Sequence, residues 1–198
     1  MDRLSAVARV LCGAWLGLSL GCDDGPTKAP VAEGRVNAVM ARGKKQSFAD
    51  LCDVAPDPAK ALSWPELSVG AAPAPTNRYR WVNVWATWCK PCVEELPLLT
   101  HSFAEWKKQG QDVVLTLLSV DADAAAAISF IEARTGLPAS LQLKEAAAAS
   151  AWLSSVGLTS GSAIPVHMVL DAQDKLLCAR SGGISQGDLE KFRAAMFP

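Results

Sequence analysis

The chain has 198 residues, half of them hydrophobic, and a formal net charge of −1. That length allows one compact domain with its own core plus terminal material, and it leaves too little for two full domains. Lys and Arg form no long block, so the chain lacks the electrostatic footprint that a nucleic-acid backbone requires, and that partner class is excluded.

Arg3 and Arg9 precede an apolar run from Val10 to Leu20. The run is too short to span a hydrocarbon core and suits the apolar region of an export signal, so residues 1–21 are read as a targeting segment outside the fold. It ends in Leu18-Ser19-Leu20-Gly21-Cys22. This resembles a bacterial lipobox, with Ser19 where such signals usually carry Leu. The resemblance implies that Cys22 is lipidated and anchors a periplasmic protein to a membrane. Asp23 resembles a signal for retention in the inner membrane. Ordinary cleavage nearby and an uncleaved N-terminal anchor are the alternatives, and both also deliver the remainder outside the cytoplasm. Residues 22–46 are polar, with a loose basic patch of Arg35, Arg42, Lys44 and Lys45, and read as a flexible tether.

Residues 47–198 are expected to form the folded domain, with its core from about residue 79. Five prolines between Phe48 and Asn77 predict an irregular extension wrapped on that core, packing through Trp64 and Leu67. The β-branched and aromatic run at 80–86 predicts a buried strand. A helix follows at about 90–106, with Leu96, Leu99 and Phe103 at helical spacing and Pro97 as a kink. Then come a strand at 112–120, a helix at 122–134, an extended piece at 141–143 and an alanine-rich helix at 144–156. Two strands at 166–170 and 175–179 are joined by the turn 171–174. Gly182-Gly183 punctuates before a last helix at about 186–196. This alternation predicts an α/β fold whose sheet ends in an antiparallel hairpin.

Of six cysteines, Cys12 and Cys22 lie in the N-terminal segment, leaving Cys52, Cys89, Cys92 and Cys178 in the domain. Only Cys89 and Cys92 have CxxC spacing. In an oxidising compartment Cys52 and Cys178 are expected to form a structural disulfide, the alternative being two buried apolar thiols.

The motif Trp88-Cys89-Lys90-Pro91-Cys92 falls where a strand gives way to a helix. Unpaired N–H groups and the positive end of the helix dipole stabilise a thiolate there, which makes Cys89 the candidate nucleophile. Cys92, one turn on, is the candidate resolving thiol. A zinc site would need more ligands, and the chain has two histidines, His101 and His167.

The flanks carry more information than the motif. The stretch from Val82 through Asn83, Trp85, Thr87, Trp88, Cys89, Cys92, Glu95 and Pro97, together with Ile164-Pro165 and Gly182-Gly183, resembles the TlpA-like and ResA-like branch of the thioredoxin superfamily over about residues 80–195. The resemblance implies a thioredoxin-like fold, with a central mixed sheet flanked by helices and an added helix and strand within 121–157. It implies a cis peptide bond before Pro165 and a substrate-binding role for Ile164 and Pro165 beside Trp88, Lys90 and Pro91. Asn83 stands where thioredoxins carry a buried aspartate. Glu95 matches an acid of this branch and would accept or return the proton of Cys92. Glu94 is read as helix-start charge. Trp85 and Trp88 are expected on the apolar surface around the sulfurs, the alternative for either being plain core, and His167 is left outside the site.

The function expected on this basis is disulfide exchange with other exported proteins, most often their reduction, as in cytochrome c maturation or copper-site assembly. No cofactor is expected. The partners implied are exported substrates with reactive cysteines, an upstream membrane electron donor and the membrane itself through the N-terminal lipid, with the chain a monomer. The peroxidatic pattern Pro-x-x-x-Thr-x-x-Cys is absent, which disfavours peroxide reduction. The rival class is a copper- or haem-handling module, for which His167 or Met168 would be the ligands.

Overall fold

A computed structural model describes residues 46–159 and 162–198; the predicted export signal, Cys22 and nearly all of the tether lie outside the described residues. Seven strands form one mixed sheet in the order β1-β7-β6-β3-β4-β5-β2. The central strand β3, Tyr79–Trp85, runs parallel to β4, Val113–Ser119, and antiparallel to β6, Val166–Leu170. Beyond them lie β5, Ser140–Leu143, parallel to β4, and β7, Lys175–Ser181, antiparallel to β6. From Arg80 to Trp85 every residue of β3 is buried, which explains why it reads as a continuous apolar run with little alternation.

Helix α1, Lys90–Lys108, and helix α4, Gln186–Met196, share one apolar cluster. Leu99, Phe103 and Trp106 of α1 meet Leu189, Phe192 and Met196 of α4 around Trp81, Val169 and Cys178. Antiparallel register sets Trp81 opposite Val169 and Val169 opposite Cys178, so these three point to the same face. Each such large side chain contributes about 1.5–3 kcal/mol by leaving water. A second cluster joins Val82, Val84, Met168 and Leu170 to Trp152 and Leu153 of α3, Ala149–Ser155, and takes in Ala127 and Ile131 of α2, Ala124–Glu132. Among the described residues no helix is long and apolar enough to cross a membrane.

The extension departs from its expected irregularity. It contributes a 3-10 turn, Phe48–Asp50, and two short strands, β1 at Lys60–Ala61 against β7 and β2 at Leu67–Val69 against β5. These strands arise from backbone pairing with partners far along the chain, which no local alternation announces. The Trp152 indole donates to the Ser63 carbonyl between them. Cys52 is bonded to Cys178, 126 positions away, with Cα atoms 5.6 Å apart, and Val54 bridges Ala179. Arg80, buried, donates to the Asp174 carboxylate (2.9 Å), to Thr116 Oγ1 and to the Ala74 carbonyl, tying β3, β4, the β6–β7 turn and the extension together.

The helix expected at 144–156 is shorter than its alanines suggested. Residues Ala146–Ala148 form a 3-10 turn and α3 begins only at Ala149, with no side chain capping either start. High alanine propensity extends a helix but does not close its first turn. Helix α4 has the opposite arrangement. Ser185 accepts from the Asp188 N–H while the Asp188 carboxylate accepts from the Ser185 backbone, a reciprocal capping box. The Ser185 hydroxyl, then its backbone N–H and the Arg180 charge, hold Asp188 below the usual carboxylate range. A group lowered on folding stabilises the native state above its unfolded value, about 3.9, and loses that contribution as pH falls through the lowered one. Ser185→Ala is therefore expected to cost about 1 kcal/mol at pH 7 in thermal unfolding. The gap between variant and wild type is expected to narrow in acid, as Asp188 becomes protonated.

Candidate functional site

Strand β3 ends at Trp85, and a four-residue connection delivers Cys89 to the N-cap of α1. Cys89 and Cys92 are joined, with Sγ atoms 2.04 Å apart. The Cys89 sulfur also receives the Cys92 backbone N–H at 3.3 Å, so the first turn of the helix directs a donor at it. Pro91 occupies the first turn, where its missing N–H costs nothing. Cys92 is fully buried, whereas Cys89 keeps a small exposed surface. Geometry alone therefore distinguishes the sulfur that an incoming chain can reach from the one it cannot.

The connection is held from below. Asp121, just past the end of β4 and nearly fully buried, accepts from the Thr87 N–H and the Thr87 and Ser119 hydroxyls, while its own carbonyl accepts from the Gln142 side chain. This clamp was not anticipated from the sequence; an aspartate ending a buried strand was the available signal.

The Ile164-Pro165 peptide bond is cis, and the Ile164 carbonyl oxygen lies 3.7 Å from Cys89 Sγ. Trp88, Cys89, Pro91, Leu153, Ala163 and Ile164 line a largely apolar groove of about 590 Å³ that opens beside the reachable sulfur. Lys90 borders it as well, exposed and 3.7 Å from Glu94 on the next turn. Trp88 is 69% exposed, but Trp85, expected on this surface, is fully buried, its indole donating to Ser140 and its ring against Phe130. Strand alternation, with Trp85 as the last residue of β3, turns it into the core.

Glu95 points inward. Its Oε1 accepts from Asn83 Nδ2 at 2.8 Å and its Oε2 from the Ile184 N–H at 3.2 Å. The buried His167 reaches the same carboxylate, its Nε2 lying 3.4 Å from Oε1. The sequence reading leaves His167 outside the site; its register opposite Asn83 on β3 brings it there. Met168, the neighbouring residue on β6, points to the opposite face and is fully buried. The two side chains offered for a metal or haem module therefore do not converge. Among the described residues no three His, Cys, Asp or Glu side chains cluster as metal ligands.

A mixed sheet with a CxxC pair at the start of its first long helix and a cis-proline loop against it is the arrangement of a thioredoxin-like protein. Within that class the sequence is similar to the thiol-disulfide oxidoreductase ResA. The protein of that name from Bacillus cereus (strain ZK / E33L) is 24% identical over 117 residues, which span 59% of this chain and 62% of that protein. The ResA of Oceanobacillus iheyensis is 43% identical over 37 residues, 19% of each chain. No protein-family model matches. Among solved structures, a thiol:disulfide interchange protein DsbE from Chlorobium tepidum aligns with a TM-score of 0.48 at 18% identity, covering 61% of this chain and 82% of that one. StoA from Bacillus subtilis aligns with a TM-score of 0.43 at 18% identity, covering 59% and 82%.

Proposed function

We propose that this chain is an exported thiol-disulfide oxidoreductase that reduces disulfides in other exported proteins. The observation that carries the proposal is the Cys89–Cys92 pair itself, with Cys89 at the helix N-terminus, lining an apolar groove and beside Ile164-Pro165. In the dithiol form the Cys89 thiolate attacks one sulfur of a partner disulfide. A mixed disulfide forms, the partner's own S–S bond breaks, and one partner thiolate leaves. Cys92 then gives up its proton and attacks Cys89 Sγ, closing the bond seen here and releasing the second partner thiolate. Two electrons pass to the partner, and the Cys92 proton goes to Glu95, one turn along α1 on the same face. The groove accommodates the partner chain next to its cysteine, with Trp88, Lys90, Pro91, Ile164 and Pro165 as the contact residues.

This reading extends to the finer expectations: a lipid on Cys22, a periplasmic location, a monomeric state, a membrane electron donor that restores the dithiol, and clients in cytochrome c maturation or copper-site assembly. It rests on the residues described above and on the similarity to the ResA proteins. The purified protein is expected to accelerate reduction of insulin disulfides by dithiothreitol, followed by turbidity. Equilibration against dithiothreitol or glutathione gives the potential of the Cys89–Cys92 pair. Failure to reduce insulin, with a potential near that of strong oxidants such as about −120 mV, would replace reductant by oxidant.

A further inference from the structure

Glu95, Asn83, His167 and Trp81 form a buried polar chain between α1 and the sheet, and the donors and acceptors in it admit one arrangement of protons. The Trp81 indole N–H donates to His167 Nδ1 at 3.1 Å. Asn83 Nδ2, the amide nitrogen that donates to Glu95, also lies 3.5 Å from the same Nδ1. An indole nitrogen can only donate, so Nδ1 must be the lone-pair nitrogen of the ring. A neutral imidazole with Nδ1 free carries its proton on Nε2, and Nε2 faces Glu95 Oε1 at 3.4 Å. The carboxylate thus accepts hydrogen bonds from two N–H groups, of Asn83 and Ile184, while His167 Nε2, which among the described residues has no hydrogen-bond partner of its own, lies 3.4 Å from Oε1.

The other element packed against His167 is consistent with this arrangement. Arg180 of β7 stands opposite His167 in register, and its guanidinium lies 3.5 Å from Asp188 of α4. Cys92, on the same α1 face as Glu95, is the remaining titratable group when reduced.

We infer that His167 is a positioning residue for the resolving step: locked by Trp81 with its proton on Nε2, it holds the Glu95 carboxylate ready to take the proton of Cys92. The inference rests on the proposed exchange reaction and assigns it a residue beyond the cysteines and the acid. His167 touches neither sulfur; it acts through Glu95.

Two measurements test it, both on the full chain with Cys12→Ser and Cys22→Ser to silence the N-terminal thiols. The first is nitrogen-15 NMR of the imidazoles at pH 7, which is tractable because the chain has two histidines. His167 is expected to show a pyridine-type Nδ1 and a pyrrole-type Nε2, and Trp81→Phe to release that preference. The second is stopped-flow reaction of the dithiol form with Ellman's reagent. Attack by Cys89 releases one thionitrobenzoate, and resolution by Cys92 releases a second as the Cys89–Cys92 bond closes. His167→Leu is expected to leave the first phase unchanged and slow the second about tenfold, about 1.4 kcal/mol for the loss of one polar neighbour of the carboxylate. His167→Gln, which keeps an N–H donor of similar reach, is expected to restore most of the rate. A protonated Nδ1 in the wild type, an unchanged second phase in His167→Leu, or a Gln variant as slow as Leu overturns the inference. If the wild type shows no second phase at all, the exchange reaction itself is wrong. Should His167→Leu fail to fold, the tautomer of the wild type still decides.

Discussion

Cys92→Ser is expected to accumulate a covalent adduct with its client proteins, visible as a band on non-reducing gels that dithiothreitol abolishes. Cys89→Ser is expected to give none. Cys89 is the sulfur with exposed surface and it lines the apolar groove, which makes it the proposed attacking thiol. Cys92 is fully buried, and in the proposed exchange it resolves the mixed disulfide. Both variants are expected to lose insulin reduction by about a thousandfold or more, the order seen when a member of a nucleophilic unit is removed. Equal trapping by the two variants, or faster alkylation of Cys92 than of Cys89 at neutral pH, would reverse the assignment.

The second large effect concerns stability. Replacing Cys52 and Cys178 together by alanine is expected to cost about 4–5 kcal/mol, because the bond closes a loop of 126 positions and the chain-entropy contribution grows with loop length. Cys178 is fully buried in the cluster under α1 and α4, so its replacement also removes packed sulfur. Urea unfolding monitored by tryptophan fluorescence would measure the loss. Mild reduction is expected to open Cys89–Cys92 first, and a midpoint in the double variant equal to wild type would show that the bond contributes nothing.

How far the sequence discloses this molecule depends on whether the information is local. Strand β6 and helix α4 match their expected bounds because each announces itself within a few residues, β6 as an apolar run and α4 by its apolar spacing after Gly182-Gly183. The CxxC pair is legible for the same reason. The roles of Trp85 and His167 were not, since the face a strand residue takes depends on register with partners far along the chain, Ser119 for Trp85 and Asn83 for His167. The same holds for Asp121, whose partners come from the loop after β3 and from the ends of β4 and β5. Alanine content misled at 144–156, where the missing cap decided how the helix starts.

The two short strands contributed by the extension have a consequence for the company this protein is proposed to keep. A client must expose its disulfide, and a chain open enough to do so carries unpaired backbone that zips onto any long, bare sheet margin. Here the margin beside β7 is occupied by Lys60–Ala61 and the one beside β5 by Leu67–Val69. Strands of two and three residues are poor templates for a stranger, and Pro65, immediately before the short stretch leading into β2, has no N–H to offer. With both margins blunted in this way, a half-folded visitor gains little from lingering anywhere except at the groove by Cys89. The extension therefore pairs the chain's own backbone with both sheet margins, and it does so without touching the chemistry.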